Sequence, residues 1–299
     1  MNSLSIVIVS YRCWDRLDTC LKSIQNQQLD FLEVIVVDNY SNDHKAAAFV
    51  NAHPSIHFIL QDINGGFAQA CNKGAAFAKG DWILFLNPDT ILEPNTLGPL
   101  LDKAASMSNW KLIAIKQLDE KGRDTYPFGL FLKWWNVWPP LRSVERLIKG
   151  KKASKKEWSA GEYSHPDWLS GSFVLIRKPD MVTLGGWDER FWMYCEDQDL
   201  SKRASALGWE RVMYNQLKCI HSHGGSSRVN AKVKAITKSA VIISTFKYIQ
   251  KHIALPGRWI ALATQFLIIS IDLLLQAPFS SIKREMIKRL VFGRKANQH

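Results

Sequence analysis

"LSIVIVSY", Leu4 to Tyr11, decides the fold. It is nearly continuous in hydrophobicity and rich in β-branched side chains. A strand buried on both faces reads this way, whereas a strand with one wet face alternates. Outward from it, Leu17, Leu21 and Ile24 recur at helical spacing. "LEVIVVDN" (Leu32–Asn39) is a second buried strand and "SIHFIL" (Ser55–Leu60) a third. "GGFAQACNKGAAFAKG" (Gly65–Gly80) is a small-residue helix opening after a glycine pair, and "DWILFLNPD" (Asp81–Asp89) a fourth strand. Strands alternating with helices predict an α/β fold with a doubly wound, mostly parallel sheet. Ligands bind such sheets beyond the carboxyl ends of the strands.

Composition sets limits on the partner. The 299 residues carry a formal charge of +12, from 39 basic and 27 acidic side chains. That excess suits an anionic partner: nucleic acid, a phosphorylated substrate or an anionic membrane. The lysines gather near residue 150 and the C-terminus without a recognised nucleic-acid motif, so no nucleic-acid partner is expected. Cysteines at 13, 20, 71, 195 and 219 include no C-x-x-C pair, which reads as reduced thiols. The first residues read as a strand, not a signal peptide.

The strand ends carry the polar residues. The second ends in "VVDNYSND", where the Asp38 carboxylate can accept hydrogen bonds from a base or ribose, or simply stabilise a turn. "NGGFAQACNKG" (Asn64–Gly74) permits close backbone approach at a helix N-terminus that favours an anion. It matches neither G-x-G-x-x-G nor a P-loop, which disfavours a Rossmann dehydrogenase. "FLNPDT" delivers Asp89 at a strand end, suited to a hard divalent cation on a diphosphate or to an Asx-turn. "CEDQDLSKRASALGW" reads as a helix ending at Gly208, and its Glu196, Asp197 and Asp199 follow the largely apolar "GGWDERFWMY". Carboxylates there suit either the helix macrodipole or a catalytic base.

Taken together, "IVIVSYR", "VVDNYSND", "NGGFAQACNKG", "FLNPDT", "LSGSFVLIRK", "GGWDERFWMYCEDQDLSKRASALGW" and "HSHGGSS" resemble the family 2 glycosyltransferases. The likeness runs from about Leu4 to about Ser227. It is greatest to the bacterial rhamnosyltransferase-like branch of O-antigen and cell-surface polysaccharide synthesis.

The resemblance implies a GT-A fold and an inverting, metal-dependent transfer from a nucleotide-sugar, with dTDP-L-rhamnose the favoured donor and a UDP-sugar the alternative. It implies Asp197 as catalytic base. It implies a donor site of Ser10, Tyr11, Asp38, Asn64, Gly65, Gly66, Asn72 and Asn87, and an acceptor site of Trp168, Gly171, Ser172 and Glu196. Asp89 and His221 are the implied ligands of Mg²⁺ or Mn²⁺, with His223 competing for the second place. Asn87 stands where the first carboxylate of a DxD pattern would be. The implied acceptor is a polyprenyl-diphosphate-linked saccharide at the cytoplasmic face of a bacterial inner membrane. A non-catalytic recruitment subunit is the competing reading.

Residues 1–227 are expected to form the catalytic domain and 228–299 a helical extension. The apolar run Trp259–Leu275 lies near the lower length limit for a spanning helix, roughly 17 residues. Asp272 within it would be costly at mid-bilayer. "SIKREMIKRLVFGRK" after it has six basic residues and one acid. These features predict an interfacial helix with a basic tail, against a core helix or a homodimer seam. "KWWNVWPP" (Lys133–Pro140) suits a membrane interface as well, or a lid over the acceptor.

Overall fold

The computed structural model describes residues 3–292, apart from 30, 44, 139, 142–143, 145–159 and 223–230. Strand β1 (Leu4–Ser10) lies parallel to β2 (Leu32–Asp38) in the register Leu4↔Leu32 to Ser10↔Asp38. On its other side β1 runs parallel to β4 (Trp82–Leu86), while β3 (His57–Leu60) extends the sheet beyond β2. Helices α1 (Trp14–Gln25), α2 (Lys45–Ala52) and α3 (Phe67–Phe77) alternate with these strands. The sequence reading of this half holds for β1, β2, α3 and β4; the third strand, expected to be buried, is instead an edge strand with Leu60 53% exposed, and α2 was not expected. Burial on both faces explains the unbroken apolar runs, since Ile6, Val7, Ile8, Ile35, Val36, Leu84 and Phe85 are all closed to solvent.

Small side chains place α3 on the sheet. Ala68, Ala70, Cys71 and Gly74 face inward, and a Cβ on Gly74 would meet Val7 at 2.3 Å. The helix therefore lies close on β1.

Beyond β4 the sheet becomes mixed. After β5 (Thr90–Leu92) and α4 (Leu97–Ser106), β6 (Trp110–Leu118) is followed by the short β7 (Asp124–Thr125) and β8 (Phe128–Gly129). Next come β9 (Tyr163–Ser164), β10 (Trp168–Leu169) and β11 (Phe173–Arg177). Helices α5 (Lys178–Leu184) and α6 (Glu196–Ala206) precede the long β12 (Glu210–His221). The order is β3-β2-β1-β4-β11-β6-β12-β5. β11 is antiparallel to both β4 and β6, while β12 is parallel to β6. The α/β class stands, with the parallel pairing concentrated in β1 to β4. The predicted strand at 167–178 is broken into β10 and β11 by Ser170–Ser172.

Three helices complete the described chain: α7 (Ala231–His252), α8 (Gly257–Gln276) and α9 (Ser281–Phe292). α7 is tied to the preceding part of the chain by Ser244 Oγ, which donates to Met193 O at 2.7 Å, and by Lys251, 2.6 Å from Asp188; α8 and α9 pack on α7. A small second core joins Val137, Ile249, Ile253 and Ala261.

Candidate active site

A cavity of about 380 Å³ opens at the carboxyl ends of β1, β2 and β4. Tyr11, Asn39 and Tyr40 line it after β1 and β2, and Asn87, Pro88 and Asp89 after β4. Gly171, Ser172, Glu196 and Asp197 form another wall, His221 closes it from the end of β12, and Val233, Ile236 and Thr237 of α7 cover it.

Asp89 and His221 meet there. His221 Nε2 lies 3.1 Å from Asp89 Oδ1, because β5 and β12 pair in the register Thr90↔His221. His221 is 3 % exposed, and its Nδ1–H donates to Gln117 Oε1 at 2.8 Å. That bond turns Nε2 toward Asp89 and the cavity. Gln117, fully buried on β6, also donates from Nε2 to Ser172 Oγ at 2.9 Å. Arg16 Nη1 stands 3.6 Å from Asp89 Oδ2.

This pair suits a divalent ion. Adjacent ligands of an octahedral ion, each about 2.1 Å from it, lie about 3 Å apart, close to the observed separation. Among the described residues no cluster of three or more His, Cys, Asp or Glu side chains is placed to hold a metal. An ion held by these two side chains would take its other ligands from phosphate oxygens and water, a pattern that suits Mg²⁺ at a diphosphate. His223 lies outside the described residues.

Asp197 sits at the start of α6. Its Oδ1 accepts from the Gln198 amide at 2.7 Å and its Oδ2 from the Gly171 amide at 3.4 Å. Burial raises its pKa to about 6, against the opposing pull of those amides. The pKa of Glu196 beside it is raised well above the usual carboxyl value, first by burial and then by the Asp197 charge. Glu196 Oε2 has no hydrogen-bond partner.

Two left-handed residues, Tyr194 (φ 68°) and Cys195 (φ 64°), turn the chain into α6. Such backbone is costly for non-glycine residues and collects at functional sites.

Gly171 and Ser172 tie the two ends of the cavity together. The Gly171 amide faces Asp197, the Ser172 carbonyl accepts from the Asn87 amide at 2.9 Å, and the Ser172 hydroxyl joins Gln117. The segment interrupting β10 and β11 is thus the spacer between Asp197 and the Asp89–His221 pair.

Other candidates lie behind the wall. Asp38 is 3 % exposed and accepts from the amide and hydroxyl of Ser41; burial raises its pKa against those bonds. Its neighbours Asn39 and Tyr40 face the cavity instead. Ser10 is buried, with Oγ 3.4 Å from Cys13 Sγ.

Asn64 reaches the cavity, but the amides of Gly65 and Gly66 are taken by the side chains of Asn39 and Asn64, both at 3.1 Å. The close approach at Gly66 (φ 90°) is to the Trp192 backbone, whose oxygen a Cβ would meet at 2.1 Å. Asn72 clasps Trp187 through its amide and carbonyl, at 2.8 and 2.9 Å. Trp168 lies away from the cavity and donates to Leu130 O.

Arg16, Gln117 and the α7 residues were not singled out from sequence. Their surroundings are an ordinary amphipathic helix, an alternating strand and a lysine-rich helix, none of which signals a site.

Comparison with known proteins bears on the family and the fold. The pattern of glycosyl transferase family 2 matches residues 5–154. An N-acetylglucosaminyl-diphospho-decaprenol L-rhamnosyltransferase of Mycobacterium tuberculosis is 28% identical over 250 residues, covering 75% of this chain and 77% of that one. Rhamnosyltransferase WbbL of Escherichia coli K12 is 25% identical over 265 residues, covering 85% and 95%. The solved structure of GalNAc-T7 with UDP, GalNAc and Mn²⁺ superposes with a TM-score of 0.58 at 17% identity. That match covers 86% of this chain, which spans about half, 52%, of the GalNAc-T7 chain. With its GT-A fold, this chain belongs to glycosyl transferase family 2 and is a glycosyltransferase.

Proposed function

We propose that the protein transfers L-rhamnose from dTDP-L-rhamnose, with inversion, to a polyprenyl-diphosphate-linked saccharide at the cytoplasmic face of a bacterial membrane. The observation that carries this reading is the tripeptide Ser170–Ser172. It joins Asp197 on one side to Asn87 and the Asp89–His221 pair on the other. A base and an anion-holding pair fixed to one short segment suit a displacement between acceptor hydroxyl and departing diphosphate. The donor and acceptor follow the names of the relatives from Mycobacterium tuberculosis and Escherichia coli.

In this mechanism Asp197 accepts the proton of the acceptor hydroxyl as its oxygen bonds to the anomeric carbon. The bond from that carbon to the diphosphate oxygen breaks, and the diphosphate departs with the electron pair. A Mg²⁺ or Mn²⁺ ion held by Asp89 and His221 would neutralise charge on that diphosphate. Arg16 adds fixed positive charge beside Asp89, and Gln117 holds the His221 ring. Glu196, on the cavity wall beside Asp197 with its Oε2 unbonded, faces the acceptor sugar in this reading. Asn39 and Tyr40 face the nucleotide, with Asp38 shaping their turn through Ser41. Residues 1–227 form the catalytic domain in this reading, and 228–299 an extension whose first helix covers the site.

The test is calorimetric titration of dTDP, UDP and GDP with Mn²⁺ into wild type and Asp89→Ala. Tightest binding of dTDP, weakened at least tenfold by the substitution, is expected. A preference for UDP overturns the donor, and absence of nucleotide binding by folded protein overturns the enzyme reading. Proton NMR of the product's anomeric centre, showing inverted configuration, tests the stereochemistry.

A further inference from the structure

Helix α8 is long and apolar enough to cross a membrane, yet only 11% of its apolar window is buried in the protein. Its exposed large side chains are Trp259, Ile260, Phe266, Leu267, Ile271, Leu274 and Leu275. At about 100° per residue these seven occupy one half of the helix circumference. Gln265, Asp272 and Gln276 fall together on the other half. This segregation marks a helix lying along an interface; a spanning helix meets lipid all round.

The one acid in α8 is neutralised from within. Asp272 pairs with Lys283 of α9, whose side chain is 11% exposed, and also accepts from Gln276 at 2.6 Å. The charge that sequence alone makes expensive therefore sits on the half of the helix opposite the exposed apolar side chains, 37% exposed but paired. Arg284 donates to the carbonyls of Ala277 and Pro278 at the end of α8, and Arg284 and Lys288 stay exposed. Phe279, between the helices, is 91% exposed.

A second exposed aromatic group adjoins the start of α8. Trp134, Trp135 and Trp138 are each close to half exposed. Trp134 packs so closely on Gly257 that a Cβ there would meet its ring at 2.8 Å. Lys133 Nζ lies 5.1 Å from the Trp135 ring centre. Aromatic rings with adjacent cations suit the headgroup layer of a bilayer, and an apolar expanse of this extent marks an interaction surface.

We propose that the apolar half of α8, with Phe279 and the Trp134–Trp138 group, seats flat in the surface of an anionic bilayer. Arg284 and Lys288 contact headgroups beside it, and no part of α8 spans. This deepens the membrane-surface part of the proposed function and rests on it, while depending on neither the donor nor the sugar acceptor. A homodimer seam is the competing occupant. The charge pattern favours lipid: Arg284 stays exposed at the end of α8, and the acid of that helix lies on the half opposite the apolar side chains and is paired with Lys283.

The experiment is flotation of the full chain with phosphatidylcholine vesicles, with and without phosphatidylglycerol, beside Leu267→Glu/Leu274→Glu. Both positions are more than half exposed, so the variant keeps its core. Wild type should float at least tenfold better on the anionic vesicles and be released by alkaline carbonate. The double variant should lose flotation while binding nucleotide as wild type does. Equal flotation of the variant, retention through carbonate, or a non-floating wild-type dimer that the variant splits would each overturn the proposal. Nucleotide binding, measured on the same samples, shows separately whether the donor site stands.

Discussion

At the scale of single residues, Asp197 carries an informative conflict. Burial raises its pKa to about 6 from the ordinary value near 3.9. A base must be ionised, so transfer should rise with pH through about 6 and then level off. The raised pKa has a stability consequence of opposite sense. As pH climbs past the unfolded value, the unfolded chain ionises first and the fold loses ground. A rise of this size corresponds to about 3 kcal/mol, fully lost above about pH 6. Asp197→Asn should therefore abolish transfer while stabilising the fold at pH 7.5 by up to about 3 kcal/mol. Urea denaturation of both proteins at pH 4 and 7.5 checks it: the gain should vanish at the lower pH. A variant no more stable at either pH would show that Asp197 is not desolvated.

Legibility at this scale divided sharply. Asp89 and Asp197 stood out because carboxylates after apolar runs are conspicuous. Gln117 and Arg16 did not, because an amide on a strand and an arginine on a helix are unremarkable until β12 brings His221 beside them. The glycine pair was legible as a tight turn, but only the fold reveals that Trp192 makes the close approach.

Elements meet through a buried charge cluster that joins α6 to α7. Asp199, closed to solvent two residues after Asp197, accepts from Arg203 at 2.8 Å, Lys251 at 2.5 Å and His252 at 2.6 Å. Burial pushes its pKa up, but the bonds from His252 and Lys251, with the Arg203 charge, bring it below the usual value. Lys251 also reaches Asp188 at 2.6 Å. The cover over the cavity is thereby clamped to the helix carrying the proposed base. Asp199→Ala leaves three donors facing a vacated site and should cost about 3 kcal/mol. Because the folded pKa is depressed, the clamp's contribution is present above about pH 4 and is lost as pH falls through the folded value. Guanidinium titrations of wild type and variant at pH 7 and pH 3 test both statements; equal stabilities at pH 7 would rule the clamp out. The acidic start of α6 was visible in sequence, but not that Asp199 looks toward α7. Its partners there lie more than fifty positions later, beyond any local pattern. β6 and β12 escaped notice too: Lys116 and Gln117 interrupt the one and Asn215–Lys218, at its register shift, the other, so neither shows the unbroken apolar run of β1.

The whole molecule joins a sheet buried on both faces to a helical extension that leaves one face uncovered. Alternating strands and helices made the first part legible. The extension's apolar run was equally visible, but its orientation was not, because that depends on Lys283 pairing with Asp272 across two helices. Removing everything after Pro256 tests how the parts depend on each other. The cut spares α7, and with it Val233, Ile236, Thr237 and the Asp199 clamp. It strips Ala261 and Leu262 from Ile249, Ile253 and Val137, and uncovers the face of α7 that α9 occupies. The shortened chain should bind nucleotide within about threefold of wild type yet stay with the unbound fraction in vesicle flotation. Its melting temperature should drop by several degrees, since a few partly buried apolar side chains are lost from a large core, each worth less than the about 1.5–3 kcal/mol of full burial. Flotation at the wild-type level would move the membrane-seating surface to the part of the chain before α8. Loss of nucleotide binding would mean that α8 and α9 hold α7 over the cavity, making the extension part of the donor site itself.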